Sequence, residues 1–255
     1  MNRRDDTTKK PSPDSRQGGT EAGFARRPAA EEETAIAPAQ AEQRAQFMLL
    51  MRARGIRDLN LLRALERSPR SLFIPQRYAD IAWRDIALPI GCGQTAPPPS
   101  IAAAMIEALS LDPRHKVLEI GAGAGYATAL LARLAGQVLA IERCQSLALE
   151  AASRLEAVGV GNVEIAWADG LATPVQAGPF DRVIVHALMA EPPASFAKLL
   201  AESGVLVAAQ ATAIRGAKEQ RIARFHHNGE GGWVIETLGL ARSFTPLVEG
   251  LARGL

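Results

Sequence analysis

The chain has 255 residues, enough for one large α/β domain or two small ones, and its 47% hydrophobic content can supply a sizeable core. The net charge of +2 and the 5% of aromatic residues, with no basic stripe running between them, carry no mark of a strong polyanion binder, and no nucleic-acid partner is expected.

Residues 1–40 are rich in Pro, Gly, Ser, Thr, Arg and acids, a composition that cannot bury enough surface to offset its ordering entropy. A disordered tail is expected there, and a folded domain over 41–255. From 41 to 54 the pattern turns helical, and Gly55 is placed to end that helix. Asp58 is positioned to cap a second helix that carries Leu59, Leu62 and Leu65 on one face and ends before Pro69. Residues 88–95 hold Pro and Gly at a density that means a structured loop. A helix follows over 100–109.

Beyond Pro113 strands and helices alternate. Strands are expected at 116–120, 138–142, 163–168, 182–185 and 205–209, with helices at 126–135, 146–158 and 193–200. Apolar strands alternating with helices imply a parallel sheet covered on both faces. Two further strand-like runs, 220–226 and 233–240, flank a Gly-rich turn and read as a closing antiparallel hairpin. The fold class expected is α/β and Rossmann-like: a mostly parallel seven-stranded sheet, helices on both faces and a C-terminal hairpin.

The chemistry concentrates where the first strand of this series ends. The run Val117-Leu118-Glu119-Ile120 meets Gly121, Gly123 and Gly125, and a helix-forming stretch starts at Tyr126. Such a turn lets backbone lie against a ligand beside the free N–H groups of a helix start. The glycines do not follow the dinucleotide pattern Gly-x-Gly-x-x-Gly, and no phosphate-binding Gly-Lys-Ser/Thr follows. About 20 residues on, Glu142 ends the second strand, where an acid can accept both hydrogen bonds of a ribose diol.

Cys92 and Cys144 have neither a metal-type nor a redox-type spacing, and so few cysteines point to a reducing compartment. No metal site is expected. The sequence has no apolar run near the roughly 18 residues that span a bilayer, and no signal-peptide core. A cytoplasmic protein without a membrane partner is expected, acting as a monomer.

With these residues in view, the chain resembles the protein-L-isoaspartate O-methyltransferases. The likeness runs from Arg54-Gly55-Ile56 to Pro246-Leu247-Val248. It includes Ser68-Pro69-Arg70 and the stretch from Ala82-Trp83-Arg84-Asp85 through Leu88-Pro89-Ile90-Gly91 to Gly93-Gln94-Thr95. Pro179-Phe180-Asp181 and Phe244-Thr245-Pro246 complete it. The resemblance implies S-adenosylmethionine as cofactor and isoaspartyl peptides or proteins as acceptors. Glu119, Gly121, Gly123, Gly125, Glu142, Asp169 and Gly170 then match the cofactor site, and Leu88, Pro89, Ile90, Gly91 and Gln94 the acceptor-binding segment. Thr95, Pro97 and His186 fall where the reaction takes place.

Two departures stand out. After Gly-Gln-Thr the family reads Ile-Ser-x-Pro, whereas here Pro97 occupies the serine position with neither hydroxyl nor N–H to offer. His186-Ala187-Leu188-Met189 replaces a stretch of small residues and Thr. His186 could hold an acceptor carboxylate or deprotonate a hydroxyl acceptor. The departures leave open a different carboxylate or small-molecule acceptor, or a protein that binds the cofactor without turnover.

Overall fold

The computed structural model describes residues 38–253 except 215, 216, 230, 231 and 243. The expected tail therefore lies outside the described residues, save for its last three. Helix α1 (Pro38–Ala53) begins within them, at a proline whose missing N–H costs nothing in a first helical turn. Asp58 caps α2 (Leu59–Arg67) by accepting the Leu61 N–H, and Ser68 and Pro69 end it. Two 3₁₀ turns, Arg70–Phe73 and Gln76–Ile81, lead into a small hairpin. Its strands are β1 (Leu88–Pro89) and β2 (Thr95–Ala96), and α3 (Pro99–Ala108) follows.

The alternating series is β3 (Lys116–Ile120), α4 (Tyr126–Leu134), β4 (Gln137–Glu142), α5 (Gln145–Ala157), β5 (Val163–Trp167), β6 (Phe180–Met189), α6 (Ala194–Ala197) and β7 (Leu200–Ile214). The long hairpin β8 (Ala217–His227) and β9 (Trp233–Ala241) completes the sheet. The seven strands lie in the order β5-β4-β3-β6-β7-β8-β9. Pairings from β5 through β7 are parallel, and β7–β8 and β8–β9 are antiparallel. The expected α/β architecture is thus present.

The helix expected over 193–200 is a single turn, α6. The sheet leaves room for no more, because β6 runs on to Met189 and β7 already starts at Leu200.

Strand alternation divides the core into two layers. Val117, Ala140, Ile184 and Val207 face the helices α1–α4. Leu118, Ile141, Val183 and Leu206 face the other way, onto Phe180, Phe196 and Phe225. The C-terminal ends of β3, β4 and β6 come out side by side, the edge at which open α/β sheets bind ligands.

Candidate active site

The floor of the site is the turn after β3. Gly121, Gly123 and Gly125 have φ of 87°, 57° and 91°, in the left-handed region that side chains disfavour. Space is short as well. A Cβ on Gly123 would sit 3.2 Å from Ile90 Cδ1, and one on Gly125 would sit 3.1 Å from the Ala151 Cβ of α5. The turn is held from below by Glu142. Its Oε2 accepts the Gly123 N–H at 2.8 Å and its Oε1 accepts the Cys144 N–H at 2.8 Å. Each carboxylate oxygen has a second lone-pair site, so Glu142 keeps capacity for a diol.

The hairpin of β1 and β2 forms a lip over this turn. Ile90 N–H donates to the Gln94 carbonyl and Gln94 N–H to the Gly91 carbonyl. Beneath the lip lies Arg70, buried to 2% exposure. Its guanidinium donates to the carbonyls of Ala82, Arg84, Ile86, Ala96 and Pro97 at 3.0–3.5 Å. Burial pulls the Arg70 pKa down and pushes the neighbouring Tyr126 phenol far up. Ser100 offers its hydroxyl to Asp85 Oδ2 at 2.8 Å, which makes it a helix-start residue. The sequence suggested no partner for either cysteine, yet the fold joins Cys92 on the lip to Cys144 beside Glu142 in a disulfide.

A third wall comes from far along the chain. Asp169 Oδ1 accepts the Leu171 N–H, and its Oδ2 accepts the Gly250 N–H at 2.7 Å. The next residue, Gly170, has no room for a Cβ against Ile120 Cγ2. Residues 244–252 wrap the opening. Leu188 N–H donates to the Thr245 carbonyl, Leu247 N–H to the Leu188 carbonyl, and Ala252 N–H to the Arg143 carbonyl.

His186 forms the fourth wall. The β6–β7 register slips between Val185 and Leu188, so His186 and Ala187 bulge at the end of β6. The His186 Nε2 lies 3.0 Å from Glu119 Oε1, and the His186 side chain is 7% exposed.

Ile90, Gln94, Thr95 and Pro97 line the resulting cavity from the lip, and Gly121 and Gly123 line it from the floor. Glu142, Asp169, Gly170 and His186 complete its sides. Leu88, Pro89, Gly91, Glu119 and Gly125 do not line it. Leu88 is buried under the lip with Ile74 and Ala82, and Glu119 reaches the cavity only through His186. Sequence reasoning missed Tyr126, Arg143 and the C-terminal wall as site residues. Phe244-Thr245-Pro246 was visible only as a family signature.

The sequence model described as Protein-L-isoaspartate(D-aspartate) O-methyltransferase (PCMT) matches residues 42–252. The chain belongs to the protein-L-isoaspartate O-methyltransferase family. It is 44% identical over 213 residues to the Rhodopseudomonas palustris (strain BisA53) protein-L-isoaspartate O-methyltransferase, covering 82% of this chain and 95% of that one. The Caulobacter sp. (strain K31) protein-L-isoaspartate O-methyltransferase is 39% identical over 207 residues, covering 81% and 93%. Among solved structures, a Plasmodium falciparum protein of that name in complex with S-adenosyl-L-homocysteine superposes with a TM-score of 0.68 at 20% identity, covering 80% of this chain and 97% of that one. That likeness supports the fold. As a member of the protein-L-isoaspartate O-methyltransferase family the chain is an enzyme, a methyltransferase whose methyl donor is S-adenosylmethionine. The cavity fits such a donor: a turn whose backbone at Gly121 and Gly123 lines it without side chains, and an acid at its edge with accepting capacity to spare.

Proposed function

We propose that this enzyme methylates the free carboxylate of L-isoaspartyl residues in damaged peptides and proteins, a reading supported by relatives named protein-L-isoaspartate O-methyltransferase. The observation that carries the reading is the meeting of the glycine turn, Glu142 and the lip around one cavity. Gly121 and Gly123 make room for the amino-acid part of S-adenosylmethionine, and Gly125 lets α5 pack closely behind the turn. Glu142 takes the ribose hydroxyls, and Asp169 and Gly170 flank the adenine. When bound, the cofactor supplies an electrophilic methyl group on a sulfonium.

An acceptor carboxyl has a pKa of about 4 and is already ionised at neutral pH, so no general base is required. The residues of this chain hold the acceptor in line and exclude water, work worth roughly 7–11 kcal/mol. Ile90, Gln94 and Thr95 face the acceptor from the lip. Pro97 offers no hydroxyl there, which removes one orienting hydrogen bond, a loss of about 1–3 kcal/mol. Leu88, Pro89 and Gly91 shape the lip without lining the cavity. His186 supplies a polar edge on the facing wall, with Glu119 behind it.

Pro97 and the bulged His186 also favour a second reading, in which the acceptor is another carboxylate. The protein acts as a monomer without nucleic acid or membrane. Among the described residues no helix is long and apolar enough to cross a membrane. A cytoplasmic setting belongs to the proposal and requires the Cys92–Cys144 disulfide to be reversible there.

The test incubates purified enzyme with S-adenosylmethionine labelled in its methyl group. Acceptors are an isoaspartyl peptide, its aspartyl twin and a panel of small carboxylates. Base-labile label on the isoaspartyl peptide alone supports the first reading. Label on other carboxylates supports the second, and no transfer to any acceptor overturns both.

A further inference from the structure

The methyl-transfer reading leaves two side chains at the cavity mouth without a task. Cys92 stands at the tip of the lip between Gly91 and Gly93, with a φ of 56°. Cys144 is the residue that starts α5, two positions after Glu142. Fifty-two positions apart in sequence, they form a disulfide with Cα atoms 6.6 Å apart, and both line the cavity. Ser146 Oγ lies 3.3 Å from the Cys92 sulfur and 3.4 Å from the Cys144 sulfur.

Position gives this bond its leverage. Among the described residues, the hydrogen bonds of the lip tip, residues 90–94, stay within the tip apart from the Cys92–Ser146 contact. The disulfide is its covalent tie to the body of the domain. At the other end, Cys144 N–H donates to Glu142 Oε1, so the tie runs directly to the carboxylate assigned to the ribose. Ile90 already rests on Gly123. A lip held by Cys92 stays over the turn, whereas a released lip can lift.

We propose that Cys92 and Cys144 form a redox modification site, a reversible latch that takes low-molecular-weight thiols and disulfides and controls cofactor exchange. The proposal rests on the reading that the cavity holds S-adenosylmethionine. Cys92 is part-exposed and Cys144 is 2% exposed, so an external thiolate attacks the Cys92 sulfur. The protein S–S bond breaks, and Cys144 leaves as a thiolate at the N-terminus of α5, where free N–H groups favour negative charge. A second thiol attacks the small-molecule sulfur of the mixed disulfide and expels the Cys92 thiolate. Both protein thiolates take the protons the two thiols gave up. One protein disulfide and two small thiols thus become one protein dithiol and one small disulfide. The reverse reaction closes the latch.

The test uses the full chain equilibrated with oxidised glutathione or with dithiothreitol, its thiols counted by alkylation and intact mass. Stopped flow measures dissociation of S-adenosylhomocysteine, and hydrogen exchange follows amides 90–94 without cofactor. Release is expected to be at least about fivefold faster from the reduced enzyme, as for a lid that gates exchange, with faster exchange of the tip. Cys92→Ser and Cys144→Ser should behave as reduced under both conditions. Release rates within twofold and unchanged exchange overturn the latch, as do thiols that stay free in oxidised glutathione. Redox-dependent exchange in a protein that binds no S-adenosylhomocysteine supports the latch and overturns the cofactor reading instead.

Discussion

Glu119 Oε1 and His186 Nε2 lie 3.0 Å apart, linking neighbouring parallel strands beneath the cavity. Glu119 is fully buried, and its Oε2 and the His186 Nδ1 have no hydrogen-bond partner among the described residues. The pair thus fixes the imidazole ring and leaves its second nitrogen uncommitted. His186→Ala is expected to lower kcat/KM for the acceptor by about 10- to 100-fold, the loss of one orienting contact or two. The dissociation constant of S-adenosylhomocysteine should move less than about threefold, because uniform cofactor binding is untouched. Glu119→Gln keeps a hydrogen-bonding partner for the ring and should fall between. Steady-state kinetics beside calorimetry separates the two effects, and an equal loss in both would assign His186 to the cofactor.

On the proposed reading Glu142 serves the protein and the ligand together. Its oxygens hold the Gly123 and Cys144 N–H groups, so the turn depends on it before any ribose arrives. Glu142→Ala removes both supports and should weaken S-adenosylhomocysteine by at least about tenfold, that is by 1.4 kcal/mol or more. Glu142→Gln can still accept on one side only, and should lose less. Calorimetry on both variants, with circular dichroism to check folding, decides this.

His115 gives the chain a pH dependence away from the site. It accepts the Asp112 N–H on Nδ1 at 3.0 Å, which needs a bare nitrogen. Burial, and then the Arg182 charge, hold its pKa below the ordinary value. Below about pH 6.5 the unfolded chain takes up a proton that the fold resists. The contribution of His115 is therefore complete above that pH and is lost as pH falls through the lowered folded value. His115→Gln should flatten the loss of stability between about pH 7 and 5, read from urea midpoints.

The legible parts of this protein are those written in short stretches. The β3 run, its stop at Gly121 and the acid Glu142 sit within 26 residues, counting from Val117, and a strand, a turn and a helix follow from local pattern. The walls were not legible in the same way. Arg70 gathers carbonyls up to 27 positions away, and residues 244–252 return to Arg143, Asp169 and Leu188. No local periodicity encodes such returns. The bulge at His186 is likewise a slip in the pairing of β6 with β7, and the one-turn α6 is set by the room between those two strands. The cysteine pair depends on the lip folding back over β4. A resemblance could place the lip there but could not pair its sulfur.

Pro97 offers a gain-of-function test. Its carbonyl accepts from Arg70 at 3.0 Å, so the backbone there is anchored through the oxygen and not through an N–H. Serine at this position keeps that carbonyl and adds the hydroxyl the family pattern carries. If the acceptor is an isoaspartyl carboxylate, Pro97→Ser should raise kcat/KM by about 5- to 150-fold, the equivalent of one recovered hydrogen bond of about 1–3 kcal/mol. A fall in isoaspartyl transfer would point to an acceptor that fits the proline.

Arg70 explains how the lip is held with so little regular structure. Strands of two residues each cannot hold a hairpin in place, and the guanidinium under it donates to the carbonyls of Ala82, Arg84, Ile86, Ala96 and Pro97, of which that of Arg84 also accepts the Ile86 N–H. Lysine keeps the charge but presents a compact ammonium that cannot span the same fan of acceptors. Arg70→Lys should therefore destabilise the fold by about 2–4 kcal/mol, from several buried carbonyls left unpaired. The acceptor KM should rise more than the cofactor dissociation constant, because Ala96 and Pro97 hang from this residue while the glycine turn hangs from Glu142. Urea unfolding and the two binding parameters, measured on the same preparation, test the division. A variant that loses cofactor affinity in step with acceptor affinity would show that lip and turn move as one.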